Sequence, residues 1–411
     1  MSAVPGDIRE RVRRVPGMER LLPTLEGLPP AYLVGGAVRD LVRGEDPKDV
    51  DIAVEGDARS AARAVAERLG SDAREYERFG TATVETPDST YNFATTRQES
   101  YDEPGALPRV TPASLAEDLG RRDFAINAMA VGLSGDDLGH LYDPFGGVAD
   151  MDAGLVRVLH ERSFLDDPTR LLRALRYATR LGFTLDPETE RLAREAVAAD
   201  ALSTVSGARI RDELMDLLRE LDAPSGIERM RDLEIHSALH PDLEPDPDLV
   251  ASAALGAVAI GADRGIAALA ALIEDAPEKL DLWLGDLHLL AQERDAAARA
   301  ARVGPRIAMT LREREHSASE LRALLGNEPL EALALALALR APSEPILRWI
   351  SDLRPVRLEI SGADLLAAGV PEGPALGRAL DETLNRKLDG LVTGRDVELE
   401  TALLLAREHA K

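Results

Sequence analysis

The sequence predicts an α+β fold: a mixed sheet with helices at the N-terminal end, then an all-helical remainder. Three observations carry this. Short β-type runs fall at Tyr32–Val34, Val50–Val54, Thr81–Glu85 and Thr90–Thr95. From Asp166 the apolar residues recur at helical spacing. After Pro224 the chain is rich in Ala and Leu, both strong helix formers, and is broken only near Pro241–Pro247, Gly304-Pro305, Pro342–Pro345 and Pro355. With 411 residues the chain exceeds one typical core. The expected domains are 1–150 for the mixed sheet, then helical segments 151–222, 223–355 and 356–411.

Residues 1–30 read as a helical lead-in ending at Pro29-Pro30. Tyr32-Leu33-Val34 is a buried strand that stops at the pair Gly35-Gly36. Ala37 to Arg43 forms a short helix, closed by Gly44 and Pro47. In the next strand Val50, Ile52 and Val54 alternate with Asp49, Asp51 and Ala53. Asp57 to Leu69 is helical, with Ala61, Ala62, Val65, Ala66 and Leu69 on one face. Two further strands are joined by the turn Pro87-Asp-Ser. Arg97 to Thr111 has two prolines, a glycine and no periodicity, so it reads as a long loop. Tyr101 and Arg109 in that loop suit either substrate contact or a solvated linker.

On a wheel of about 100° per residue, Leu171, Leu172 and Leu175 share one face after Asp167. Arg170, Arg173 and Arg176 form a stripe on the other. Arg209 and Glu213 are four apart on a later helix and suit a local pair. Glu331 to Arg340 alternates Ala and Leu with no polar residue between, which predicts a buried helix.

Composition narrows the function classes. No cysteine is present, which excludes disulfides and cysteine-based zinc or thiol chemistry and fits a reducing compartment. Met1 to Arg14 is charged and lacks an apolar core, so no signal peptide is expected there. Ala251 to Ile273 contains Asp263 and Arg264, so it reads as a soluble helix pair rather than a membrane span. The net charge of −24 argues against a uniformly basic nucleic-acid surface. Local cationic clusters remain open, because exposed charges more than about 8–10 Å apart are largely screened. The histidines are scattered, and His236 and His240 have no evident metal-ligand partner. Nothing in the sequence points to a protein partner or a membrane. A cytoplasmic location is expected.

The chemistry concentrates at Gly35-Gly36 and Asp49/Asp51. Side chains at i and i+2 on a strand point the same way. Asp49 and Asp51 therefore set two carboxylates side by side, which calls for a cation between them. Mg²⁺ suits oxygen-only ligands and often bridges carboxylates to substrate phosphates. Gly35 and Gly36 let a triphosphate approach the backbone, and Arg39 adds a positive fork. An Asp-x-Asp alone also suits an acidic strand end; the glycine pair and Arg39 favour nucleotide and metal binding.

The stretch Tyr32–Glu55 resembles the signature of polymerase-beta-type nucleotidyltransferases, in the branch of tRNA nucleotidyltransferases (CCA-adding enzymes) and bacterial poly(A) polymerases. Matches follow in the family's order at Arg121-Arg-Asp-Phe-Ala-Ile-Asn-Ala128, Asp143-Pro-Phe-Gly-Gly147 and Asp166-Asp-Pro-Thr-Arg-Leu-Leu-Arg-Ala-Leu-Arg176, with a weaker one at Ile360-Ser-Gly-Ala-Asp. The resemblance implies a nucleotidyltransferase head, a neck with nucleotide-recognition helices, a helical body and a tRNA-binding tail. It implies catalysis and Mg²⁺ binding at Asp49 and Asp51. Nucleotide binding falls to Gly35, Gly36, Arg39, Arg122, Asp167, Arg170, Arg173 and Arg176. Asn127 is expected to be structural, and the Arg209/Glu213 pair to brace the recognition helix. The implied partners are the tRNA 3′ end, CTP and ATP. One departure stands out: the family places a third acid before Phe93, and this chain has Asn92. Four functions stay open: full CCA addition, CC-only or A-only addition, poly(A) synthesis, and a catalytically impaired binding protein. Tyr76–Val84 lacks the basic run that marks the poly(A) branch.

Overall fold

The computed structural model describes residues 8–47, 49–76 and 80–409. Residues 1–7 of the lead-in, Lys48, residues 77–79 of the Tyr76–Val84 segment and residues 410–411 lie outside the described residues. The chain divides into two compact units, Met1–Glu213 with Arg229–Leu239, and Leu214–Glu228 with His240–Lys411.

The first unit is built on a mixed sheet. Strands β1 (Ala31–Val34), β2 (Val50–Val54), β3 (Ala73–Tyr76), β4 (Thr81–Glu85) and β5 (Thr90–Thr95) come first. Then β6 (Arg97–Ser100) and β7 (Arg109–Pro112) form a separate ribbon, and β8 (Ala130–Gly132) and β9 (Leu141–Tyr142) return to the sheet. The sheet order is β3-β4-β5-β2-β1-β8-β9, with only the β2–β5 pair parallel. Both faces of its centre are covered. Leu33, Ile52, Val54 and Phe93 pack on one side, and Tyr32, Val34, Ala53 and Leu119 on the other. That is why β1 reads as a continuous apolar run. Along β2 only Asp51 escapes burial.

Helix α1 (Gly36–Arg43) ends at Gly44, whose φ of 85° is the left-handed conformation glycine tolerates. Helix α2 (Ala58–Leu69) starts where the Asp57 side chain accepts from the Arg59 N–H. Both match expectation. The segment from Arg97 does not: its ends pair as β6 and β7, from Arg97↔Pro112 to Ser100↔Arg109. Every residue of β7 is exposed, so no apolar alternation marked the strand. Helix α3 (Leu115–Gly120) follows the ribbon with a capping box from Ser114 and Glu117.

The helix expected to run unbroken from Asp166 is also interrupted. A short turn covers Ser163–Asp166, Asp167 is extended at φ −135°, and α4 (Arg170–Leu181) then begins. Pro168 is the cause, since its ring pushes the preceding residue out of the helical region. Leu171, Leu172 and Leu175 are buried as the wheel required. Thr184–Leu185 adds a two-residue parallel pairing with Leu155–Val156. Helix α5 (Gly207–Leu218) supplies Arg209 and Glu213.

The second unit is helical: α6 (Pro247–Ile260), α7 (Arg264–Leu272), α8 (Ala291–Glu313), α9 (Ala318–Leu325), α10 (Leu330–Ala338), α11 (Pro374–Leu388) and α12 (Arg395–His409). Ala332–Ala336 is buried throughout, as the Ala/Leu alternation predicted. Gly304 permits this packing: a Cβ there would meet Leu335 at 3.0 Å. Ile360, Leu365, Ala379, Ala402 and Leu405 form a separate C-terminal core. Among the described residues no helix is long and apolar enough to cross a membrane.

Candidate active site

The site starts where β1 turns into α1. Gly35 sits at φ 68°, and a Cβ there would meet Arg122 Nη1 at 2.8 Å. The turn thus needs glycine both for its backbone and for the guanidinium lying against it. Arg122 donates Nη2 to Asp118 at 3.0 Å, while its buried Nε has no acceptor. A buried donor without a partner is costly unless a ligand supplies one.

Across the turn, β2 presents Asp51. The parallel β2–β5 register sets Asp51 opposite Asn92, and the antiparallel β4–β5 register sets Asn92 opposite Thr83. Asn92 Nδ2 donates to Asp51 Oδ1 at 3.2 Å, and Thr83 Oγ1 donates to Asn92 Oδ1 at 3.2 Å. Crowding around the Asp51 carboxyl strips its water and raises its pKa, and the charge of Asp49 adds to that. The Asn92 bond and Arg122 act the other way. So Asn92 does stand beside Asp51, but it turns a donor to that carboxylate rather than offering an oxygen to a cation.

A cavity of about 420 Å³ opens beside this turn. Gly35, Gly36, Asp51, Arg122, Asp167, Arg170 and Arg173 all line it, together with Glu99, Tyr101 and Tyr177. Asp49, Arg39 and Arg176 are not part of its wall. For the two arginines the expected triphosphate role needs correction. Arg39 is buried; it gives Nε and Nη2 to Asp40 at 3.0 and 2.8 Å and Nη1 to Asn127 at 2.9 Å. Arg176 is buried and donates to Glu213 at 3.0 Å. Both belong to a frame behind the cavity.

That frame is continuous. Asn127 passes from Arg39 to Asp123 at 3.1 Å, as a structural residue should. Arg173 binds Asp123 through Nε and Nη2 at 3.0 and 2.5 Å and Glu213 at 2.9 Å. Burial alone would raise the Asp123 carboxyl, but Arg173 and Asn127 hold it below the ordinary range. Tyr177 lies in the middle: the guanidinium carbons of Arg39, Arg173 and Arg176 are 5.5, 5.7 and 5.2 Å from its ring centre. Arg173 alone of these three arginines also faces the cavity.

Asp167 and Arg170 both line the cavity, though Asp167 precedes the helix that starts at Arg170. Asp167 Oδ1 accepts from Thr169 N (3.1 Å), Thr169 Oγ1 (2.6 Å) and Arg209 Nη2 (2.8 Å). Its Oδ2 accepts from none of the described residues. Arg170 donates Nη1 to Ser163 Oγ at 2.6 Å and Nη2 to the Arg121 carbonyl at 2.8 Å, which fixes its plane. Arg209 and Glu213 do not pair locally: Arg209 holds Asp167, and Glu213 holds Arg173 and Arg176. Tyr101 reaches the cavity from the ribbon and donates to Glu99 at 3.0 Å, whereas Arg109 pairs with Asp102 on the exposed side.

Sequence reasoning passed over Asp118, Glu99 and Tyr177. Asp118 is buried and accepts from Arg121 and Arg122; burial opposes its charge, but these two arginines hold it below the ordinary range. The place of Tyr177 four residues after Arg173 was a readable signal of a shared helical face.

Among the described residues no group of three acidic, histidine or cysteine side chains can hold a metal ion. A hard divalent cation held by Asp49 and Asp51 would relieve the charge that the Asp51 carboxyl carries there. Asp51 is destabilised as an anion by desolvation and by Asp49, and substrate phosphates can complete an oxygen shell.

Comparison with known proteins agrees with this geometry. The model of the poly A polymerase head domain matches residues 31–157, and that of a probable RNA and SrmB-binding site of polymerase A matches 182–246. The A-adding tRNA nucleotidyltransferase of Geobacter sulfurreducens is 34% identical over 92% of this chain and 45% of its own length. The chain spans under half the length of this and the other A-adding relatives first matched. The CC-adding tRNA nucleotidyltransferase of Deinococcus radiodurans is 34% identical over 90% of this chain and 88% of its own. Among solved structures, a CCA-adding enzyme in an apo form has a TM-score of 0.82 at 28% identity, covering 98% of this chain and 100% of that one. Others of this fold, solved with CTP, with ATP and, from Thermotoga maritima, with tRNA, have TM-scores of 0.76 to 0.80 at 28–29% identity, covering 98–99% of this chain and 98–100% of theirs. A third of the residues shared along nearly the full length of a relative leaves one conclusion: the chain belongs to the tRNA nucleotidyltransferase family, with a head of the poly(A) polymerase type.

Proposed function

We propose that this chain adds or repairs the 3′-terminal CCA of tRNA from CTP and ATP. One observation carries the reading: a single cavity has the metal-type carboxylate Asp51 at one wall and an acceptor–donor pair, Asp167 and Arg170, at another. The primer's 3′ oxygen attacks the α-phosphorus, the bond to the β-phosphate breaks, and pyrophosphate leaves. Asp49 and Asp51 would hold Mg²⁺, which when bound supplies a lowered hydroxyl pKa and charge neutralisation on the leaving oxygens. Gly35 and Gly36 leave room for the triphosphate. Arg122, with its unpartnered Nε, takes phosphate oxygens, and Arg173 adds positive charge from the frame. Asp167 Oδ2 accepts the amino hydrogen of cytosine or adenine, and Arg170 donates to the neighbouring ring nitrogen. The location that goes with this substrate is the cytoplasm.

The test is nucleotide addition to tRNAs lacking their last one, two or three nucleotides, with labelled CTP and ATP. Full CCA addition extends all three. A second reading, A-only addition, is favoured by the A-adding relatives named above. It extends only the tRNA lacking one nucleotide. No extension of any substrate overturns both.

A further inference from the structure

Tyr177 takes no part in the chemistry proposed above, yet it lines the same cavity, half-buried beside Arg173. Its ring is fixed from several directions. Phe124 meets it edge-on with 5.7 Å between ring centres, and the guanidiniums of Arg39, Arg173 and Arg176 pack against it. A phenol carries one donor hydrogen and two acceptor sites. The Tyr177 oxygen accepts from Arg173 Nη2 at 3.4 Å. Its own hydrogen goes to none of the described residues, so the hydroxyl keeps a donor for a ligand.

The arginines around it have little left to give. Arg173 uses four of its five N–H groups: Nε and one Nη2 hydrogen on Asp123, the other Nη2 hydrogen on Tyr177, and one Nη1 hydrogen on Glu213. Arg39 is held by Asp40 and Asn127. What the frame offers here is instead a hydroxyl polarised from behind. Cations against the ring and an N–H on the oxygen draw electron density from the O–H bond, which makes its hydrogen a better donor to an anion.

Position decides which anion. Arg170 and Tyr177 are seven residues apart on α4, nearly in line and about 10 Å apart along its axis. Arg170 stands at the end proposed for the base, so Tyr177 falls at the other end of the nucleotide. The glycine turn is there too. A Cβ on Gly36 would meet Arg39 Nη2 at 3.5 Å, and the Arg39 guanidinium is 5.5 Å from the Tyr177 ring centre. We propose that the Tyr177 hydroxyl donates to a non-bridging oxygen of the β- or γ-phosphate, an inference that rests on a nucleoside triphosphate being the substrate. The bond falls on the part of the nucleotide that leaves as pyrophosphate. It therefore selects triphosphates over monophosphates and is indifferent to the base. Being neutral, the hydroxyl grips this tail without adding a charge that would hold the product back.

Tyr177→Phe in the full chain removes the hydroxyl and keeps the ring between Phe124 and the guanidiniums. KM for CTP and ATP is measured on saturating tRNAs that lack their terminal nucleotides. Inhibition constants are measured beside it for inorganic pyrophosphate, and for CMP and AMP, which keep base, ribose and first phosphate but have no tail. The expected result is that the triphosphate KM and the pyrophosphate constant rise together, each on the order of tenfold, as the loss of one hydrogen bond to a charged group requires. The monophosphate constants, tRNA Kd and thermal midpoint stay at wild-type values. An unchanged KM and pyrophosphate constant overturn the assignment. Monophosphate constants raised as much as the pyrophosphate one put the hydroxyl at the ribose or make it a brace for the frame, and overturn it too. A wild-type chain that extends no tRNA overturns the proposed function itself, before the variant is made.

Discussion

Glu213→Ala tests the frame behind the cavity. Glu213 is the shared partner of two arginines, at 2.9 Å from Arg173 and 3.0 Å from Arg176, and its side chain is 15% exposed. Removing one partner of a buried pair costs about 3–5 kcal/mol, because a charge is left behind uncompensated. Arg173 keeps both bonds to Asp123, so part of the frame survives the change. That lowers the expectation to about 2–3 kcal/mol. For a unit of this size each kcal/mol shifts Tm by about 2–4 °C, so the midpoint should fall by roughly 4–12 °C. Glu213→Gln keeps the shape and one acceptor and should fall less. The assay is thermal unfolding with urea titration as a check. Transfer activity is then measured well below the new midpoint, where displacement of Arg173 should raise nucleotide KM. A Glu213→Ala midpoint within about 1 °C of wild type would mean that the two guanidiniums are solvated in practice and that the frame does not hold them.

Asp51→Asn should abolish nucleotide transfer while the thermal midpoint stays put, because Asp51 is the one exposed residue of β2; retained activity would remove it from the chemistry. Asn92→Asp should lower the Mg²⁺ concentration needed for half-maximal activity, since it sets a second carboxylate beside Asp51, and an unchanged metal requirement would show that position 92 never reaches the ion. Asp118 and Asp123 both have folded pKa values depressed below the ordinary carboxylate range. Their ion pairs therefore contribute fully above the unfolded value near ~3.9 and are lost as pH falls through the folded values. The stability gap between wild type and Asp123→Asn, read by urea unfolding, should be wide at pH 6 and shrink below about pH 4.

Much of the fold was legible because its signals are local. The strands at Tyr32–Val34, Val50–Val54, Thr81–Glu85 and Thr90–Thr95 show their burial directly in apolar runs or alternation. The ribbon β6–β7 was not legible, because pairing that buries nothing leaves no pattern in composition. Pro168 did announce the break before α4, but the strong leucine period after it masked the signal. In the site, residue type told charge and not partner. Arg39, Arg122, Arg173 and Arg176 read alike in sequence, yet only Arg122 keeps a buried nitrogen without an acceptor and also faces the cavity, while Arg39 and Arg176 are absorbed by Asp40, Asn127 and Glu213. Those partners lie up to 88 residues away, beyond any periodicity.

On the proposed reading, base choice depends on how Asp167 is held. Cytosine and adenine each show an amino donor beside a ring-nitrogen acceptor; uracil and guanine show the reverse. An acceptor next to a donor therefore selects the first pair, and on the proposed reading Asp167 and Arg170, both on the cavity wall, would supply that order. Oδ1 of Asp167 is already bound by Thr169 and Arg209, so only Oδ2 is left for the base. Asp167→Ala would remove the template atom and also strand Arg209, confusing two effects. Asp167→Asn separates them. Its oxygen stays with Thr169 and Arg209, and its amide nitrogen takes the place of Oδ2, so donor now stands beside donor. Cytosine and adenine then lose one bond and meet a repulsive contact, while uracil and guanine gain one. Sites built on such bonds discriminate by ~10⁴ or more, and one reversed bond of ~1–3 kcal/mol on each side, ~2–6 kcal/mol in all, should reduce that by roughly 30-fold to 10⁴-fold. The measurement is kcat/KM for single-nucleotide incorporation from each of the four triphosphates, with tRNA Kd alongside. We predict lower efficiency with CTP and ATP, a relative rise for UTP, and unchanged tRNA affinity. If the variant instead binds tRNA more weakly and keeps its wild-type preference among the triphosphates, this wall contacts the RNA backbone and the base is read elsewhere.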